Sequence, residues 1–299
     1  MPRDELDFVV IGAAKSGTTS LYAAISQHPG LFIPSEKEVP FFNDPRWYRR
    51  GFDAYMRTYF SDVPDGQAIG TVTPQYMLDT SDGAVRQTAL RMSRQLPGAR
   101  LVVILRNPVD RAYSHYKMRV QRGYEQRSFD DVVDQAIAAG DGPREGAAAD
   151  EHRYVFGSEY GRIIGEFLRH YPREALLILT TKQLRDDPVA VSQSVFAHIG
   201  VDDDFVPADA DKTHREGGSA PKVRVLTPGF LFGIPGVQWV WRNAVPARFR
   251  KRVEYRLNLW NIKADDLRLS PDDQAYRRLM DYLADDLAAL DRIEPGLVF

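Results

Sequence analysis

The tightest constraint on this chain lies near its start. Phe8-Val9-Val10-Ile11 is a short apolar, β-branched run, Gly12 and Gly17 bracket a turn, and Leu21, Ala24 and Ile25 then recur on one helical face between about Thr18 and Gln27. A strand, a glycine turn and a helix in that order form a βα unit, which needs parallel neighbours and a covering layer on each face of its sheet. The turn also has a chemical consequence. Backbone N–H groups of such a turn and of the helix start converge on one point and favour an anion there.

Two more apolar runs share this setting. Leu101-Val102-Val103-Ile104-Leu105 is followed by the polar turn Arg106-Asn107-Pro108 and a helix starting near Asp110. Leu176-Leu177-Ile178-Leu179 lies between a helix with apolar positions at 160, 163, 164, 167, 168 and 171 and another from about Pro188 to Ile199. Strands alternating with helices predict an α/β chain with a P-loop-type three-layer fold, a mostly parallel central sheet flanked by helices. With 299 residues and no internal repeat, the chain is long enough to bury a full core, and 1–299 reads as one domain. Residues 138–151 lack periodicity and read as an exposed loop, and a closing helix is predicted over about Pro271 to Leu290. Residues 217–256 combine Gly217-Gly218, Trp239 and Trp241 with a basic cluster from Arg242 to Arg256. They read as a lid, an acceptor-contact segment or a peripheral membrane contact, or as an irregular stretch wrapping the sheet.

Composition narrows the chemistry. The absence of cysteine excludes disulfides, thiol nucleophiles, iron–sulfur clusters and thiolate zinc sites. A net charge of −2 argues against nucleic acid as a partner yet leaves room for a local cationic pocket. Only eight of the 39 basic residues are lysine, a skew expected of a GC-rich bacterial genome. The start of the chain has no secretory pattern and no stretch is apolar enough to span a bilayer, so a cytoplasmic location is expected.

The first turn reads Gly12-Ala13-Ala14-Lys15-Ser16-Gly17-Thr18-Thr19-Ser20. It nearly satisfies the Walker pattern G-x-x-x-x-G-K-[ST], with Gly12, Gly17 and Thr19 in register. The lysine position, however, is Thr18, and the cation stands three residues earlier, at Lys15. In a Walker site the lysine reaches the terminal phosphates, the hydroxyl holds Mg²⁺, and a carboxylate after another strand completes the metal site. Here the second strand ends in Arg106 instead. Lys15 at one βα turn and Arg106 at another suit a nucleotide with separated anionic groups and require no metal. A metal-dependent P-loop kinase and a non-catalytic, membrane-associated nucleotide-binding module remain as alternatives.

The same residues carry a family resemblance. Lys15-Ser16-Gly17-Thr18-Thr19-Ser20-Leu21 resembles the 5′-phosphosulfate loop of sulfotransferases that use 3′-phosphoadenosine 5′-phosphosulfate (PAPS), and Leu105-Arg106-Asn107-Pro108-Val109-Asp110-Arg111-Ala112-Tyr113-Ser114 resembles their 3′-phosphate motif. Lys37-Glu38-Val39-Pro40-Phe41-Phe42 is similar to a Lys-Glu-x-x-Phe-Phe segment of the bacterial and heparan-type branch. Residues 70–76 are similar to that branch's Gly-Glu-x-[Ser/Thr]-Pro-x-Tyr segment, with Thr71 where an acid is usual.

The resemblance implies PAPS as sulfuryl donor, no metal, and a hydroxyl acceptor on a small molecule or glycan. It implies that Lys15, Ser16, Gly17, Thr18, Thr19 and Ser20 hold the 5′-phosphosulfate and that Arg106 and Ser114 hold the 3′-phosphate. Lys15 would offset charge on the leaving phosphate, and Glu38 would be the general base. Lys37, Phe42, Tyr76 and Tyr160 are candidate substrate contacts, with core packing the competing reading for both tyrosines. His28 and His115 read as structural, and Lys222 and Arg224 mark a faint late loop over the nucleotide.

Overall fold

The structure, a computed structural model, describes residues 5–78, 82–121, 124–125, 127–140, 153–208 and 273–299. The expectations for 217–256, for Lys222 and Arg224, for 141–151 and for the first residues of the closing helix lie outside these.

Five parallel strands form the central sheet in the order β2-β3-β1-β4-β5. They are β1 (Phe8–Gly12), β2 (Leu31–Phe32), β3 (Ala68–Val72), β4 (Arg100–Leu105) and β5 (Leu176–Thr180). The predicted runs at 8–11, 101–105 and 176–179 thus become β1, β4 and β5, while β2 and β3 are additions. Side-chain alternation assigns each strand to two cores. Val9, Ile11, Leu101, Val103 and Leu105 pack on one face, and Phe8, Val10, Val102 and Ile104 pack on the other. Helices cover both faces, as predicted for a three-layer fold.

Helix α1 (Thr18–Ile25) follows β1, α2 (Pro45–Arg50) and α3 (Phe52–Tyr59) form a flank, and α4 (Asp82–Gln95) precedes β4. After β4 come α5 (Pro108–Gln121), α6 (Phe129–Ala139), the single turn α7 (Arg153–Phe156) and α8 (Tyr160–Leu168). Beyond β5 lie α9 (Thr181–Asp186) and α10 (Pro188–Ile199). The closing helix is two helices, α11 (Gln274–Tyr282) and α12 (Ala284–Ile293). The break has a packing reason. Leu279 and Leu283 fill a satellite core built with α5 and α6, whereas Leu290 joins the main core against α8. Residues 138–139, expected in a loop, instead close α6. No helix of the described residues is long and apolar enough to cross a membrane.

Candidate active site

Because β1 and β4 are adjacent and parallel, their following turns open side by side at one edge of the sheet. The glycine turn sits on β1. Gly17, at φ 95°, is the N-cap of α1, a left-handed conformation that costs glycine little. No side chain caps α1, so the N–H groups of Thr18, Thr19 and Ser20 in its first turn are left for an anion. Lys15 is also left-handed, at φ 73°. Its neighbours hold that shape: Ala13 N donates to Ile104 O (2.8 Å) and Ser16 N to Ala13 O (3.2 Å). Thr181, the first residue of α9 just after β5, adds a brace, its hydroxyl reaching Ser16 O (2.7 Å) and Leu105 O (3.1 Å). Sequence reading missed Thr181, because nothing local marks it. Ser16 and Thr18 are buried and Thr19 is exposed, so the turn offers an anion mainly backbone together with Lys15.

The second turn is built by Asn107. Its side-chain oxygen accepts from Val109 N (3.0 Å) and Asp110 N (3.2 Å), starting α5, and its amide donates to Tyr276 Oη (3.1 Å). Arg106 stands just before it, partly buried, and Ser114 lies partly buried farther along α5. Below them Arg111 is fully buried. It donates to Ser158 Oγ (2.7 Å) and to the carbonyls of Tyr154 and Arg153. Burial lowers its pKa to about 10, and these oxygen partners are all neutral. His115 sits in the same field. Its pKa lies well below 6.5, first through burial and then through Arg111, Lys15, Arg119 and Arg153. Burial, helped by these four cations, thus favours the neutral imidazole.

The third element is the segment after β2. Lys37 Nζ donates to Thr19 Oγ1 (2.8 Å) and lies 3.3 Å from Glu38 Oε1. Gln75 Nε2 donates to the other carboxylate oxygen of Glu38 at 2.5 Å. Glu38 itself has φ 70°. The residues behind it are anchored: Tyr55 Oη donates to Val39 O (2.9 Å), and Phe41 N donates to Tyr76 Oη (2.9 Å). Among the candidates, then, Thr19, Lys37 and Glu38 form one connected group. Gln75 completes it, and no motif had flagged it.

Three expectations need correction. Phe42 is 1% exposed and packs on Phe41, Phe52 and Tyr76, so its ring has no surface to offer an acceptor. Tyr76 is likewise buried and burial raises its pKa; its hydroxyl is spent on Phe41 N. Tyr160 is fully buried, and its hydroxyl donates to Arg106 O (3.0 Å). Burial raises its pKa, with Arg111, the Ser16 hydroxyl and Arg106 acting against that rise. Tyr160 therefore braces the Arg106 turn. His28, by contrast, is structural as expected, with Gly30 N donating to Nδ1 (2.9 Å) and Nε2 bonded to Asp202 O (2.8 Å). Thr71, where the resemblance implied an acid, is buried and accepts from the Thr73 hydroxyl (3.3 Å).

Comparison with known proteins agrees with this arrangement. Residues 5–212 match the sulfotransferase domain family. Human bifunctional heparan sulfate N-deacetylase/N-sulfotransferase 3 is 33% identical over 207 residues, covering 65% of this chain and 22% of that protein. The Drosophila melanogaster bifunctional heparan sulfate N-deacetylase/N-sulfotransferase is 32% identical over 203 residues, covering 62% and 18%. The chain thus spans about a fifth of the length of these relatives. The crystal structure of a sulfotransferase from Alicyclobacillus acidocaldarius superposes with a TM-score of 0.67 at 25% identity, covering 98% of this chain and 97% of that one. With the Lys15 and Arg106 turns on neighbouring strands and a family match over most of its length, the chain belongs to the sulfotransferase domain family.

Proposed function

We propose that this protein transfers the sulfuryl group of PAPS to a hydroxyl of a small-molecule or glycan acceptor. One observation carries the reading: the Lys15 and Arg106 turns open side by side from adjacent parallel strands. Two separated cationic turns match a nucleotide with a 5′-phosphosulfate and a 3′-phosphate. The uncapped start of α1 and the cations around His115 fit the same donor. PAPS supplies a sulfuryl group already attached to a phosphate leaving group.

The chain's own residues do the rest. Backbone N–H groups from Gly17 to Ser20 with Lys15 hold the 5′-phosphate and offset its charge as the sulfur–oxygen bond to it breaks. Arg106 and Ser114 hold the 3′-phosphate, which distinguishes this donor from ATP. Glu38 takes the proton of the acceptor hydroxyl as its oxygen bonds to sulfur. Lys37 lies between base and donor loop, positioned to meet the transferred group. Its ammonium rests on the Thr19 hydroxyl, the one that binds Mg²⁺ in a Walker site, which speaks against the kinase reading. The proposal extends to a single bacterial, cytoplasmic domain over 1–299, with 217–256 contacting the acceptor or a membrane surface.

Calorimetric titration without Mg²⁺ tests the donor site. 3′,5′-ADP is expected to bind and raise the melting temperature, whereas ATP with Mg²⁺ binds weakly. Tight Mg²⁺-ATP binding with none of 3′,5′-ADP overturns the proposal. Labelled PAPS with 2-naphthol, N-desulfated heparin or an alkyl glucoside then samples the acceptor class, and binding without transfer to any acceptor favours the non-catalytic module.

A further inference from the structure

Glu38 presents a physical problem. A general base works only if its carboxylate stays within hydrogen-bond reach of one proton. Yet Glu38 has a flexible side chain that is 39% exposed. Left alone, such a side chain samples many rotamers. Its contact with Lys37 at 3.3 Å is a partly exposed ion pair, of a kind that holds little.

The stronger contact comes from Gln75, which donates to the carboxylate at 2.5 Å across 37 residues of sequence. Gln75 stands on firm ground. It belongs to a short 3₁₀ turn, Pro74–Met77, in which the next residue, Tyr76, is buried and bonded to Phe41 N. Its carbonyl also accepts from Asn43 Nδ2 (3.1 Å). Its side-chain oxygen is buried without a hydrogen-bond partner among the described residues, an arrangement that is costly. Turning the amide over would place that oxygen against the carboxylate, so the Glu38 contact dictates the amide's orientation. The other carboxylate oxygen faces Lys37, which is bonded to Thr19 on the donor loop. Base, cation and loop form one chain whose far anchor is Gln75.

We infer that Gln75 is a positioning residue for the transfer reaction, fixing the Glu38 carboxylate and, through Lys37, its register with the donor loop. The inference rests on the proposed sulfotransferase activity with Glu38 as base. An amide suits the task, since it donates to the carboxylate and does not itself ionise. The left-handed backbone of Glu38 is held by Val39 and Phe41 in the core and leaves the side chain as the one part needing an external brace.

The test is a double-mutant cycle on the full chain, with labelled PAPS and with 2-naphthol and N-desulfated heparin as acceptors. Gln75→Ala is expected to lower kcat by about tenfold or more while the KM for PAPS, the Kd for 3′,5′-ADP and the melting temperature stay close to wild type. In a Glu38→Gln background the same substitution should change kcat by less than about twofold, because the group it positions is gone. Equal losses in both backgrounds, wild-type kcat in Gln75→Ala, or a loss of 3′,5′-ADP affinity that matches the loss of kcat each overturn the inference. Wild-type protein that neither binds 3′,5′-ADP nor turns over PAPS overturns the underlying function instead.

Discussion

At the residue scale, Tyr160 shows how a single hydroxyl links fold to chemistry. It lies at the start of an apolar helical stripe and is fully buried, yet its oxygen donates to the Arg106 carbonyl. Removing it in Tyr160→Phe leaves that carbonyl short of a donor at a cost of about 1 kcal/mol. The expected result is a small drop in melting temperature and weaker 3′,5′-ADP binding, with the acceptor KM unchanged. A raised acceptor KM with intact nucleotide binding would return Tyr160 to the acceptor cleft. The sequence motif locates both turns because each is local, a few residues after a strand. The Gln75 and Thr181 contacts and the Tyr160 bond to the Arg106 carbonyl are not legible there. Each acts across a gap of chain that only tertiary packing closes.

At the element scale, α8 and α12 meet with no room to spare. The Asp286 carboxylate on α12 accepts from Gly161 N (2.9 Å) and Arg162 N (2.7 Å), capping α8 from outside where its own N-cap residue does not. A methyl group on Gly161 would stand 2.4 Å from the Asp286 carbonyl and 2.9 Å from Ala289 Cβ. Gly161→Ala should therefore lower stability by about 1–3 kcal/mol, read by denaturant unfolding. Ala289→Gly should not restore it, because the backbone carbonyl is the harder contact. Element boundaries follow the same logic of visibility. β1, β4 and β5 are readable since strands buried on both faces are uninterrupted apolar runs. β3 contains Gly70 and Thr71 and β2 is two residues long, so pairing with their neighbours defines them rather than composition. The break between α11 and α12 answers to two separate cores, a demand invisible along the helical stripe.

At the scale of the whole molecule, one buried and one half-buried histidine couple stability to pH. His115 and His198 both have pKa values below 6.5, in each case chiefly through burial; at His198 bonds to the Ala175 and Leu101 carbonyls oppose that shift. A base whose folded pKa is depressed takes up its proton more readily when unfolded. Its stabilising contribution is therefore present above pH 6.5 and lost as pH falls below it. Asp286 runs the other way, since burial raises its pKa above 3.8, so its contribution is lost as pH rises through that higher value. Chemical unfolding between pH 7.5 and 5.5 should show falling stability, and a His115→Gln, His198→Gln double variant should flatten that slope. An unchanged slope would place the proton uptake elsewhere.

The central place of β1 in the sheet has a consequence for how the protein diversifies. A strand hydrogen-bonded on both sides and packed on both faces is among the last to open when a protein breathes, so its amides should exchange slowest with solvent. The donor loop is rooted in that strand and inherits its stillness. The flank from α2 to α3 buries Phe52, Tyr55 and Met56 in the main core but turns Tyr48, Arg46, Arg49 and Arg50 to solvent. Substitution at those exposed positions can therefore proceed without disturbing the strand that carries the Lys15 turn.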